Sequence, residues 1–273
     1  MIRSLLYVPA NSEKKIRKAP QIRADAIVFD LEDAVPEAEK DNARRLLESI
    51  LSESSYREQL RSTKRVCLRV NSMYTRNFYW DILIVYNLDP IDCIIIPKAE
   101  TDLSFIYKAT GRTLMAIVET ARGFTRIESI ASSEGLDSLI LGVADLALSV
   151  GGSLESYERN TYIRTKLVLA AKAYGLQAID KVYFNIDDIE GFKREALEAK
   201  ALGYNGKQVI HPNQVSIANE VFKPTREEIE WAKKVVDAYE KAIREGLGAI
   251  RLEGRLVDYV HYRLAKRILE SAS

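Results

Sequence analysis

Apolar residues along this chain fall in short, nearly unbroken blocks, separated by longer stretches with helical periodicity. Eight blocks read as strands: Arg3–Pro9, Ala26–Leu31, Val66–Asn71, Cys93–Pro97, Leu114–Thr120, Ser138–Asp145, Gln177–Tyr183 and Lys207–His211. They are rich in Val, Ile and Leu and mostly lack a polar alternation, the pattern of strands covered on both faces. Ser12–Ala19, Glu37–Leu60, Thr161–Tyr174 and Asp187–Leu202 read as helices between them. Asp187 and Asp188 supply negative charge at the start of the last of these, and Gly203 a stop. Strand–helix alternation repeated eight times predicts an α/β fold, a (β/α)8 TIM barrel. A doubly wound open sheet is the competing architecture, but no GxGxxG follows the first strand and no P-loop is present.

The pattern changes after the eighth strand. The barrel is expected over residues 1–223, and residues 224–273 are expected to form a C-terminal helical extension that packs on a neighbouring subunit. Thr225, with Glu228 three residues on, reads as a capping box opening a helix to about Glu245. Gly246 and Gly248 break it. Ala249–Arg255 reads as a small hairpin around Glu253-Gly254, and Val257–Leu269 as a last amphipathic helix.

A length of 273 residues suits one such barrel, and an apolar fraction of 47% supplies a sizeable core. Forty Lys and Arg against 39 Asp and Glu leave a net charge of +1, which gives no reason to expect nucleic acid or an anionic membrane as partner. No apolar run approaches the ~20 residues of a membrane span. The first residues lack the apolar stretch and cleavage site of a signal peptide, so a cytoplasmic location is expected. Cys67 and Cys93 show neither CxxC spacing nor a zinc pattern, and are expected to be buried, reduced thiols.

Barrel enzymes gather their chemistry at the C-terminal ends of the strands. Those ends carry Asp30, Glu32, Asp33, Arg69, Asn71, Lys98, Glu100, Glu119, Asp145, Asp180 and His211, a ring that is mostly acidic. Glu119 and Asp145 each follow an apolar run, where an unpaired charge is costly. Two carboxylates without a His or Cys cluster suit a hard, oxygen-seeking ion such as Mg2+; ion pairing with Arg or Lys accounts for the same spacing. Arg69, inside a strand, needs a partner. Glu32 and Asp33 are candidates, either as a structural ion pair or as groups that orient Arg69 toward a bound anion. Lys14, Lys15, Arg17 and Lys18 read as solvated charge or as a seat for a phosphate-bearing coenzyme. Neither His211 nor His261 reads as a catalytic base.

These segments together resemble the citrate lyase β-subunit-like family within the HpcH/HpaI aldolases. The matching pieces are RSLLYVPAN (Arg3–Asn11), FDLEDAVPEAEK (Phe29–Lys40), RVN (Arg69–Asn71), IPKAE (Ile96–Glu100), IVETARG (Ile117–Gly123), LGVADLALSVG (Leu141–Gly151), AIDKVY (Ala178–Tyr183) and GKQVIHPNQV (Gly206–Val215). The resemblance implies a Mg2+-dependent lyase that makes or breaks a carbon–carbon bond beside an acyl thioester. Malyl-, citramalyl- and citryl-CoA, or a thioester on an acyl carrier protein, are the implied substrates. It also implies that Glu119 and Asp145 hold Mg2+ and that Arg69 faces the oxygen that gains charge. Glu32 and Asp33 would line the pocket and hold Arg69, and backbone N–H groups near Ala144 and Asp145 would receive the keto acid carboxylate. Lys14 and Lys18 would meet the CoA phosphates. Asp258 would enter a neighbouring subunit's site, in a homotrimer or a multiple of one. Two departures stand out: Val260 replaces the proline that follows this aspartate in the family, and Ala10 replaces a glycine of the first loop.

The resemblance leaves alternatives open. One is a malyl-CoA thioesterase on the same scaffold; others are a carrier-dependent citrate lyase β-type subunit inactive alone, an aldolase acting on free 2-keto acids, and a non-catalytic barrel.

Overall fold

The computed structural model describes residues 1–272. Eight parallel strands close a barrel in chain order: β1 (Ser4–Pro9), β2 (Ala26–Asp30), β3 (Arg65–Arg69), β4 (Cys93–Ile96), β5 (Thr113–Val118), β6 (Leu136–Leu141), β7 (Gln177–Asp180) and β8 (Gly206–Val209). β8 returns to β1, with Leu5 opposite Gln208 and Leu6 opposite Val209. Alternate residues point inward. Leu5, Val28, Ile95, Met115, Ile117 and Ile140 fill the interior, while Ile27, Leu68 and Ile94 are equally buried on the other face, toward the helical layer. Burial on both faces is why the blocks carry no polar alternation.

Two expected elements differ. The apolar run Ser138–Asp145 is not one strand. β6 stops at Leu141, and Val143–Val150 is a helix that buries Val143, Leu146 and Ala147. That spacing is the helical period, which a continuous apolar run conceals. Asp145 therefore sits on the first turn of a helix and not at a strand end. The expected helix Glu37–Leu60 is a 3-10 turn, Glu37–Glu39, followed by helices Lys40–Ser52 and Ser54–Leu60, broken at Glu53 where the backbone is extended.

The cysteines also depart from expectation. Cys67 and Cys93 are partners in the β3–β4 register, with Cα atoms 4.6 Å apart, and are joined as a disulfide inside the barrel. Sequence spacing could not reveal this, because the register of two strands brings together residues 26 positions apart.

The chain divides into two compact units, Met1–Glu220 and Val221–Ser273. In the second, Thr225 caps the helix Arg226–Arg244 through a reciprocal capping box with Glu228. β9 (Ala249–Leu252) and β10 (Arg255–Asp258) form an antiparallel hairpin. Its two-residue turn places Glu253 and Gly254 at φ +46° and +83°, which a type I′ turn requires. A helix, Tyr259–Ala272, follows, and Ala232, Val235, Tyr239, Val257 and Ala265 form this unit's own core. Among the described residues no helix is long and apolar enough to cross a membrane.

Candidate active site

At the C-terminal ends of the strands lies a cavity of about 390 Å3, lined by the charged Asp30, Asp33, Arg69, Glu119 and Asp145 and by the apolar Pro9, Val182, Phe184 and Ile210. Of these charged residues, Asp30, Arg69 and Glu119 come from strand ends, Asp33 from the loop after β2 and Asp145 from the first turn of a helix. Asp30 and Arg69 are the last residues of β2 and β3 and lie opposite each other in the register. The guanidinium donates to both oxygens of Asp30, Nε to Oδ1 at 2.8 Å and Nη2 to Oδ2 at 2.6 Å. Its third nitrogen, Nη1, lies 3.1 Å from Glu32 Oε2 and 3.7 Å from Asp33 Oδ2. The Tyr7 ring packs 5.0 Å from the guanidinium carbon. A fork held on three sides keeps a fixed positive charge at the cavity wall.

Glu119 directly follows β5 and is almost fully buried. Burial, together with the negative charges of Asp145 and Glu32, pushes its carboxyl up to about 8. Oε1 accepts the backbone N–H of Lys98 at 2.8 Å. Gly142 makes room for the other oxygen: a Cβ there would stand 2.3 Å from Oε2. Lys98 Nζ bonds Glu32 Oε1 and lies 3.5 Å from Asp145 Oδ1.

A divalent cation fits these residues. A buried carboxylate that resists ionisation beside a second carboxylate is relieved by positive charge. The donors are all oxygen, the preference of Mg2+, which takes one or two carboxylates and keeps waters or substrate oxygens. Among the described residues no set of three or more His, Cys, Asp and Glu gathers in metal-binding geometry, so a cation here would draw on few protein donors and on water or substrate oxygens for the rest. Beside these carboxylates the first-turn N–H groups of Val143, Ala144 and Asp145 have no partner within their helix, and Gly142 offers no side-chain cap. They line the cavity as ready anion donors.

Lys14 and Lys18 line a second cavity of about 350 Å3, with Lys15, Ser12 and His211; Lys15, Tyr7, Pro9 and Ile210 line both cavities. Asp258 belongs to the second unit. Its Oδ1 accepts the N–H groups of Val260 and His261 and lies 2.6 Å from His261 Nδ1, so it caps the last helix. The His261 side chain and these N–H groups hold its carboxyl below the ordinary range. Asp180 does not face the mouth. It is fully buried and pairs with Lys207 at 2.6 Å and Arg164 at 3.4 Å.

Sequence reasoning placed Arg69 with Glu32 and Asp33 and passed over Asp30, its closest partner. Asp30 ends its strand as Arg69 does, and that shared position was the available signal. Lys98 stands in the predicted ring as one of its two cations, beside Arg69, while nothing in the sequence singles out Gly142 or Tyr7.

Known proteins similar to this chain point to one family. The family described as HpcH/HpaI aldolase/citrate lyase matches residues 3–212, and the C-C bond lyases of the TIM-barrel fold match residues 167–273. A (3S)-malyl-CoA thioesterase of Cereibacter sphaeroides is 36% identical, covering 99% of this chain and 94% of its own. The mitochondrial citramalyl-CoA lyase of Rattus norvegicus is 32% identical over 99% and 86%. Among solved structures, protein CitE from Mycobacterium tuberculosis, in complex with magnesium, acetoacetate and coenzyme A, superposes with a TM-score of 0.82 at 29% identity, covering 98% of this chain and 97% of its own. The chain belongs to the HpcH/HpaI aldolase/citrate lyase family.

Proposed function

We propose that this chain is a Mg2+-dependent carbon–carbon lyase that cleaves, or forms, a β-hydroxyacyl thioester such as malyl-, citramalyl- or citryl-CoA, with acetyl-CoA and a 2-keto acid on the other side of the reaction. The observation that carries this reading is the convergence of Arg69, Glu119, Asp145 and the first-turn N–H groups of one helix on a single cavity. Glu119 and Asp145 hold the cation. When bound, Mg2+ supplies Lewis acidity, polarising the substrate's hydroxyl and carboxylate oxygens. Arg69, fixed by Asp30 and Glu32, faces the oxygen that becomes the keto oxygen and stabilises its charge. Asp33 lines the pocket beside it. The N–H groups of Ala144 and Asp145 receive the keto acid carboxylate. As the β-hydroxyl gives up its proton to water and becomes the keto C=O, the carbon–carbon bond breaks and its electron pair moves to the thioester α-carbon, leaving an enolate. Asp258 of a neighbouring protomer delivers the proton, and in the forming direction removes it. Lys14 and Lys18 meet the CoA phosphates. A role for Asp258 across subunits calls for a homo-oligomer; the family resemblance favours a trimer or a multiple of it, and the proposed location is the cytoplasm.

A thioesterase reading is supported by the 36% identity to the malyl-CoA thioesterase. One experiment separates the two. Purified protein is incubated with malyl-, citramalyl- and citryl-CoA, with Mg2+ or with EDTA, and products are read by mass spectrometry. Mg2+-dependent acetyl-CoA and a keto acid support the lyase. Free CoA and the intact hydroxy acid make it a thioesterase. No turnover of any substrate defeats both, and the assay is then repeated with acyl carrier protein thioesters. The role of Asp258 is tested by mixing: Glu119→Gln and Asp258→Asn protomers, each inactive alone, regain activity together if Asp258 acts across subunits.

A further inference from the structure

Among the described residues of the barrel unit, Lys98 is the one non-glycine residue with a left-handed backbone, at φ +50°. A side chain with a Cβ resists that conformation, and such outliers persist where surrounding contacts hold them. Here the turn aims both ends of one residue at the acidic mouth. Its N–H reaches Glu119 Oε1 at 2.8 Å. Its ammonium, half-buried, bonds Glu32 Oε1 and lies 3.5 Å from Asp145 Oδ1 and 3.8 Å from Asp33 Oδ1. Asp30, Glu32, Asp33, Glu119 and Asp145 crowd this end of the barrel, and Arg69 is already committed to Asp30 and Glu32. Among the described residues Lys98 is the remaining cation in contact with these acids, and its ammonium touches one of the two proposed cation ligands, Asp145.

We propose that Lys98 is a positioning residue, a resident counter-ion that holds Glu32, Asp33 and Asp145 around the cation site and gives up Asp145 when a divalent cation arrives. The proposal rests on the reading that Glu119 and Asp145 hold that cation. Lys98 then has two opposed effects. Its N–H fixes the buried ligand Glu119 and favours the cation, while its ammonium competes with the cation for Asp145. Its bond to Glu32 persists and keeps Glu32 against Arg69.

The test is Mn2+ binding, followed by electron paramagnetic resonance, to the wild type, Lys98→Met, Lys98→Gly and Glu119→Gln. Removing one unit charge a few ångströms from the site is expected to tighten Mn2+ binding roughly tenfold in both Lys98 variants, even as kcat falls because Arg69 loses support. The metal-free Lys98→Met protein melts below the wild type. Lys98→Gly, which accepts the left-handed backbone without strain, melts above Lys98→Met and carries the binding test if the Met variant does not fold. A merely structural lysine would leave Mn2+ affinity unchanged or weaker in both variants, and that result overturns the proposal while the cation site stands. A wild type that binds no Mn2+, or a Glu119→Gln variant that binds it as well as the wild type, overturns the cation reading and the proposal with it.

Discussion

Asp30 and Arg69 end adjacent strands directly opposite each other and are joined by two nearly parallel hydrogen bonds of 2.8 and 2.6 Å. The pair faces a cavity, so its worth lies in aim as much as in stability. Asp30→Asn keeps the shape but removes the charge and one acceptor. It is expected to lower kcat by about 10²-fold with little change in KM, the signature of an interaction made in the transition state. Arg69→Lys keeps the charge but not the fork and should lose a comparable factor. Steady-state kinetics of both variants check this; a wild-type kcat in Asp30→Asn would leave Glu32 as the sufficient support.

The Glu119 carboxyl, pushed up to about 8 by burial and by Asp145 and Glu32, links pH, stability and metal. Below its ordinary value of 4.5 the group is protonated whether the chain is folded or not. Between that value and about 8 the unfolded chain has lost the proton and the folded one retains it. The folded state then binds the extra proton, so metal-free stability falls as pH rises, by up to about 1.4 kcal/mol per pH unit from this group. A cation takes the ionised carboxylate, so Mg2+ affinity rises over the same range. Urea denaturation from pH 5 to 9, with and without Mg2+, should show opposite trends, and Glu119→Gln should flatten both. Parallel curves for the variant and the wild type would show that Glu119 is not the linked group.

The barrel was legible because eight strands buried on both faces must be continuously apolar, and that pattern survives translation into one dimension. The second unit was legible through local chemistry, the Thr225–Glu228 box and the Glu253-Gly254 turn. What stayed hidden depends on register and on hidden periodicity. Asp30 meets Arg69, and Cys67 meets Cys93, because neighbouring strands align at those residues. Gly142 ends β6 inside an unbroken apolar run, so the helix carrying Asp145 looked like more strand. The left-handed turn at Lys98 has no signature, because a lysine is a poor choice for that backbone and is tolerated only by its contacts.

Asp25 tests the opposite end of the barrel, where stability rather than chemistry is at stake. It accepts Arg3 N–H at 3.0 Å and both Arg3 Nε and Nη2, at 2.7 and 2.8 Å, and lies 3.0 Å from Lys64 Nζ. Burial opposes its ionisation, yet these bonds prevail and hold its carboxyl down at about 2. The stabilisation is present above the ordinary value of 3.8 and is lost as pH falls through about 2. Asp25→Asn should cost about 2 kcal/mol at neutral pH, with the gap to wild type closing as pH approaches 2. Mn2+ binding should be unchanged. A variant that loses Mn2+ affinity along with stability would mean that the two ends of the barrel are coupled.

Gly142 gives the sharpest steric test of the site. Its φ of −103° suits any residue, so the backbone does not demand glycine there. Space does: an added Cβ would stand 2.3 Å from Glu119 Oε2, 2.4 Å from Glu119 Cβ and 2.9 Å from a methyl of Ile117. Glu119 is buried and tied to Lys98 N–H, so it cannot swing away without breaking that bond. Gly142→Ala should cost about 1–3 kcal/mol by overpacking and weaken Mn2+ binding by displacing the carboxylate. Gly248→Ala, where a Cβ meets nothing within 4 Å, serves as the control and should change neither. Wild-type Mn2+ affinity in Gly142→Ala would mean that the cation does not depend on the place Glu119 holds here, and Asp145 would then have to carry it without that support.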